Sequence, residues 1–122
     1  MKIVTTAVLA IAATGLLLSA ADAHPRLKAA GPAPGSVVTA SPKAIRIQFS
    51  EAVELAFSGI ELKNAEGKAQ PVGTPTLDAK DKAQLIVPVN GQLTPGKYTV
   101  SWHAVGDDTH KQEGSFNFEL KK

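Results

Sequence analysis

Three residues of this chain have side chains suited to holding one metal ion together: His24, Asp108 and His110. His24 stands directly behind Ala21-Asp22-Ala23, where small residues mark a signal-peptidase site. Cleavage after Ala23 makes His24 the first residue of the mature chain. A terminal histidine offers two nitrogens, its free α-amine and imidazole Nδ1, and these close a chelate ring on a single ion. Such a set suits Cu(II), which favours nitrogen and oxygen donors in a tetragonal arrangement. Pro25 limits the chelate to those two donors, because a proline nitrogen has no hydrogen to lose. Further ligands must come from elsewhere in the fold. The loop Gly106-Asp107-Asp108-Thr109-His110 can supply them, with His110 as a third nitrogen and Asp108 as an oxygen. The plainer reading of that loop is an Asp-Asp-Thr turn whose side chains bond nearby backbone amides.

The chain must export and then position these groups. Lys2 gives a positive start, and Ile3 to Leu18 form an apolar stretch broken by Thr5, Thr6, Thr14 and Gly15. With Ala21 and Ala23 at the −3 and −1 positions, residues 1–23 read as a cleaved secretory signal. An uncleaved anchor is the alternative, but the stretch is near the lower limit for a spanning helix. Residues 24–122 then form one domain, long enough for one core. Its net charge stays +2, because cleavage removes one base and one acid, Lys2 and Asp22. The basic residues are scattered, so no nucleic-acid partner is implied.

The chain has no cysteine, and its one methionine is Met1. Thiolate metal sites and thiol catalysis are excluded. The mature chain also lacks the soft sulfur donors that a Cu(I) site prefers.

The mature sequence reads as β throughout. Ile45, Ile47 and Phe49 alternate with polar residues, as do Phe116, Phe118 and Leu120. In the run 97–104, Tyr98, Val100, Trp102 and Ala104 share one face, opposite Thr99, Ser101 and His103. Segments 59–63 and 83–87 are further strands, with weaker ones near 27–30 and 68–72, and a helical turn is weakly signalled over 52–56. Turn residues such as Asn64-Ala65-Glu66-Gly67, Asn90-Gly91 and Thr94-Pro95-Gly96 separate the runs. About seven short strands at this spacing predict an all-β, immunoglobulin-like sandwich, with Trp102 filling space between the sheets.

The mature chain resembles the CopC family of periplasmic copper-binding proteins. The likeness covers His24-Pro25-Arg26-Leu27, Pro34-Gly35-Ser36 and Ile47-Gln48-Phe49-Ser50-Glu51. It is most specific from Leu93 through the Gly-x-Tyr-x-Val-x-Trp strand to Asp108-Thr109-His110 and Gly114-Ser115-Phe116. The resemblance implies a Greek-key β-barrel or sandwich in the periplasm that binds one Cu(II) ion per chain through His24, Asp108 and His110. It implies copper sequestration, resistance or delivery, with a membrane copper transporter of the CopD type as partner. Glu51 matches a glutamate that some members place near the copper, though a solvated strand-end carboxylate is the simpler reading. The chain departs from members with a methionine-rich Cu(I) loop, and it has His103 where the family more often has arginine. His103 is expected to face outward.

Two other functions fit parts of the pattern. A copper oxidoreductase with a histidine-brace site would also use a terminal histidine, but it needs an open copper position and a broad substrate face. The aromatics lie mostly on core-like faces, and Asp108 would fill the open position. An exported sandwich that binds no metal is the third. No Gly-x-Ser-x-Gly or comparable nucleophile motif is present, so an enzyme is not expected.

Overall fold

The computed structural model describes residues 25–122, and His24 with the predicted signal lies outside them. The elements are β1 (Leu27–Gly31), β2 (Val37–Val38), β3 (Ala44–Phe49), a 3-10 turn (Leu55–Phe57), β4 (Gly59–Lys63), β5 (Thr76–Asp78), β6 (Asp81–Pro88), β7 (Gly96–Val105) and β8 (Lys111–Leu120). They form two four-stranded sheets, ordered β1-β3-β6-β5 and β2-β8-β7-β4. Every pairing is antiparallel except the short parallel contact of β2 with β8. This is the expected all-β sandwich, with one short strand more than predicted.

Period-two alternation explains the layers, because successive side chains of a strand point to opposite faces. Ile45, Ile47 and Phe49 of β3 and Leu85 and Val87 of β6 are buried from one sheet. Leu62, Tyr98, Val100, Phe116, Phe118 and Leu120 are buried from the other. Tyr98 stacks on Phe118 with ring centroids 5.5 Å apart, and its hydroxyl donates to the Thr94 carbonyl at 2.5 Å. That closes the Gly96 end of β7 with a satisfied buried polar group, the arrangement of a tyrosine corner.

Three local expectations change. Segment 68–72 makes only isolated bridges, Lys63 with Ala69 and Val72 with Val89, while the edge strand forms at Thr76–Asp78. Pro71 and Pro75 have no N–H to give to a ladder. The helical turn falls at Leu55–Phe57 rather than across 52–56. Trp102 is half-buried at the margin of the core, edge-on to Phe49 at 5.1 Å. It also covers Gly114 on β8, where a Cβ would stand 2.5 Å from its ring.

Candidate metal centre

Strands β7 and β8 run in register from Gly96↔Leu120 to Val105↔Lys111. Their connection, residues 106–110, therefore projects at one end of the sandwich. Inside it the Thr109 N–H donates to the Gly106 carbonyl at 3.1 Å, and Thr109 has φ 64°. It is the one non-glycine residue with positive φ among the described residues, and a β-branched side chain is uncommon there. This bend brings its two neighbours together. Asp108 Oδ1 accepts from the His110 N–H at 3.1 Å, and Asp108 Oδ2 lies 3.6 Å from His110 Nδ1. The His110 side chain is 73% exposed and that of Asp108 only 19%. The loop thus presents an accessible imidazole beside a largely sheltered carboxylate. The predicted turn bond is present and uses Oδ1, and the same bend sets the Asp108 and His110 side chains side by side.

The start of the described chain comes to the same place. The Pro25 side chain is fully buried. A Cβ on Gly106 would meet Pro25 Cδ at 3.0 Å, so the proline ring packs against the first residue of the loop. Arg26 is tied on the other side: its N–H donates to Ser50 Oγ at 2.9 Å, and its carbonyl accepts from the Ser50 N–H at 2.8 Å. Residues 53 and 54 complete this end. The Val53 N–H donates to the Lys82 carbonyl at 3.1 Å, and the Glu54 N–H donates to the Val105 carbonyl at 2.7 Å. Buried Ser58 links them further, accepting from the Val105 N–H at 3.2 Å and donating to the Glu54 carbonyl at 2.8 Å.

Among the described residues no three His, Asp or Glu side chains come together to hold an ion. His24, the expected further donor, lies outside the described residues. An imidazole and a carboxylate are nitrogen and oxygen donors of the kind that divalent transition metals take. Glu51 is half-buried beside the Ser50 anchor. His103 lies on the outer face of β7 and lines a surface groove together with Gly106, Asp107 and Thr109. It pairs across the strands with Gly59 and Glu113, and its ring covers Gly59, where a Cβ would come within 2.8 Å. Sequence parity set it on the outer face, but the glycine that lets it lie flat gave no signal.

The CopC domain family matches residues 27–121. The chain is 42% identical to protein YobA of Escherichia coli K12 over 116 residues, covering 93% of this chain and 91% of that one. It is 35% identical to copper resistance protein C of Pseudomonas syringae pv. tomato, covering 95% and 96%. The crystal structure of PcoC, a methionine-rich copper resistance protein from Escherichia coli, superposes with a TM-score of 0.74 at 32% identity, over 81% of this chain and all of that one. A stretch of the copper transport protein CutJ of Bacillus subtilis is 25% identical over 100 residues; it covers 82% of this chain but only 18% of that protein.

Proposed function

Since this chain belongs to the CopC family, we propose that it is an exported copper-binding protein of copper resistance, whose site forms only after cleavage behind Ala23. The donors are the His24 amine and imidazole, His110 nitrogen and Asp108 oxygen, and they hold one Cu(II) ion. The observation that carries this reading is the contact of buried Pro25 with Gly106. It fixes the residue after His24 against the loop that bears Asp108 and His110. Little of the chain then has to be ordered when copper binds, and such preorganisation raises affinity. The mature chain, residues 24–122, is the working domain, in the periplasm.

Each donor has its own part. The terminal chelate supplies two nitrogens from one residue. Asp108 partly offsets the charge of the ion and holds the loop in its bent form through Oδ1. His110 is the accessible donor, and so the one that a receiving protein can reach first. A filled four-donor set leaves no position for substrate, which favours capture and transfer over catalysis. Transfer goes to a membrane copper transporter of the CopD type. The occurrence of a similar stretch within the much longer copper transport protein CutJ supports that partnership.

The test compares protein starting at His24 with protein carrying one extra alanine before it. Electron paramagnetic resonance of the Cu(II) forms counts the nitrogen donors. The extra residue turns the amine into an amide, so the spectrum changes and affinity falls. An unchanged spectrum and affinity, or an exported form that starts elsewhere by mass spectrometry, refutes the terminal chelate.

A further inference from the structure

The chain has three asparagines, Asn64, Asn90 and Asn117, and Asn90 alone is followed by glycine. An asparagine loses its side-chain amide when the next backbone nitrogen attacks its Cγ. The attack needs a small following residue, an N–H without an acceptor and a side chain not held elsewhere. Asn64 fails the last condition: its Oδ1 accepts from the Glu66 N–H at 3.0 Å and from the Lys68 N–H at 2.9 Å. Asn117 fails it too, because it lies inside β8 opposite Thr99, whose Oγ1 donates to Asn117 Oδ1 at 2.9 Å. Asn90 is exposed, and its side chain makes no hydrogen bond among the described residues. Gly91 follows on a bend outside the strands with φ 98°, and its N–H has no acceptor among the described residues either. Without a side chain on Gly91, its nitrogen is open to approach.

The chain is pinned on both sides of this bend. Before it, the Val89 N–H donates to the Lys43 carbonyl at 2.9 Å and the Asn90 N–H to the Pro71 carbonyl at 3.1 Å. After it, the Leu93 N–H donates to Ser41 Oγ at 2.9 Å, and the Leu93 side chain is buried in the core. Exposed Gly91 and Gln92 span the gap between these anchors. The reacting atoms are therefore open to water while the ends of the bend are fixed. No strand pairing has to break before the nitrogen is free to react, so little local opening is needed.

We propose that Asn90–Gly91 is a site of spontaneous deamidation, and that its isoaspartyl product loosens the end of the sandwich at which β7 begins. The Gly91 nitrogen gives its proton to hydroxide and forms a bond to Asn90 Cγ. The bond from Cγ to the side-chain nitrogen breaks, and that nitrogen takes up a proton and leaves as ammonia. Water then opens the cyclic imide at one of its two carbonyls. One opening leaves aspartate; the other leaves isoaspartate, in which the main chain runs through Cβ and Cγ. Nothing is oxidised or reduced. Both products carry a negative charge where the amide had none. Isoaspartate also adds one carbon to the main chain between the Asn90 and Leu93 anchors. The extra length has to be taken up at the Leu93 bond to Ser41 or in the burial of Leu93, just before the Gly96 start of β7.

The experiment incubates protein starting at His24 at mildly alkaline pH, both folded and unfolded in guanidinium chloride. Peptide mass spectrometry reads the change from amide to acid at each asparagine, and electron-transfer fragmentation separates isoaspartate from aspartate. In the folded protein Asn90 converts while Asn64 and Asn117 keep their amides. Its rate stays within about tenfold of the unfolded chain, which corresponds to about 1.4 kcal/mol of local opening or less. A folded rate slower than that, or conversion at Asn64 as fast as at Asn90, overturns the site. The isoaspartyl form, isolated by chromatography, unfolds at a lower urea midpoint than the unconverted protein. Asn90→Asp, which has the new charge without the extra carbon, stays closer to wild type. An isoaspartyl form as stable as the unconverted protein, or an Asn90→Asp variant as unstable as the isoaspartyl form, overturns the loosening by added chain length.

Discussion

The two ends of the β7–β8 pair are built from the same two strands and do opposite things. At the Gly96–Leu120 end, Tyr98 and Phe118 stack inside the sandwich, and the Tyr98 hydroxyl is satisfied by the Thr94 carbonyl. At the Val105–Lys111 end, the chain turns through a left-handed threonine and holds a carboxylate beside an exposed imidazole. One end is closed by apolar area, the other is held by polar contacts and left open. Burial at the first end stabilises the fold whether or not an ion is present. At the second end, polar contacts within the loop and to its neighbours take the place of that apolar area. A strained conformation can persist there because the closed end and the Pro25, Ser50 and Ser58 anchors fix the strands on either side.

The sharpest way to break the contrast is to damage the closed end. Phe118 is 2% exposed and stacked on Tyr98. Phe118→Ala removes a full aromatic side chain from the core, which costs about 3–5 kcal/mol. Urea denaturation should show that loss as a lower midpoint. Copper bound per folded molecule should not change. A variant that keeps its stability would mean that the core lies elsewhere.

His110→Ala is the matching change at the open end. The side chain is 73% exposed, so unfolding free energy should move by no more than about 0.5 kcal/mol. Cu(II) affinity should fall about a hundredfold, or about 2.8 kcal/mol, measured by competition with a chelator of known affinity. Together the two variants dissociate stability from binding. If His110→Ala destabilised the fold as much as Phe118→Ala, the division between the ends would be wrong.

The closed end was the more legible in sequence. Tyr98, Val100, Phe116 and Phe118 alternate strictly, and period two leaves little choice of face. Legibility fails where alternation meets an edge or an end. Trp102 has core parity, but its place near the open end leaves it half-exposed over Gly114. Strand β5 has only three residues, too few to show a period. At the open end, residue types alone marked Asp108 and His110, because few other pairs combine a carboxylate and an imidazole on one turn. The packing of Pro25 against Gly106 at the foot of that loop, a contact far apart in sequence, had no local signal. Phe57 is an exception among the aromatics, expected mostly on core-like faces: it sits on the 3-10 turn and is exposed.

Acid offers the finest test, because polar clasps respond to it and stacked rings do not. Asp81 opens β6 at the loop end, one residue before Lys82, which the Val53 N–H bonds. Its carboxylate accepts from the Ala83 N–H at 3.0 Å and from Gln48 Nε2 at 2.9 Å. Those bonds, the Ala83 one foremost and with Lys28 nearby, favour the charged form and hold the carboxyl below its usual range. A carboxyl depressed by folding adds stability that is present above its unfolded value, about 3.9, and is lost as pH falls through the folded value. Asp81→Asn should therefore cost a little stability at neutral pH, and the gap to wild type should narrow as pH drops below about 4. Urea midpoints at pH 7 and pH 3 measure this directly. The gap should arise whether or not copper is bound, since none of the proposed donors takes part in the clasp. A gap that widened in acid would have the wrong sign for a carboxylate held by donors, and would place the acid sensitivity of the open end in some other group.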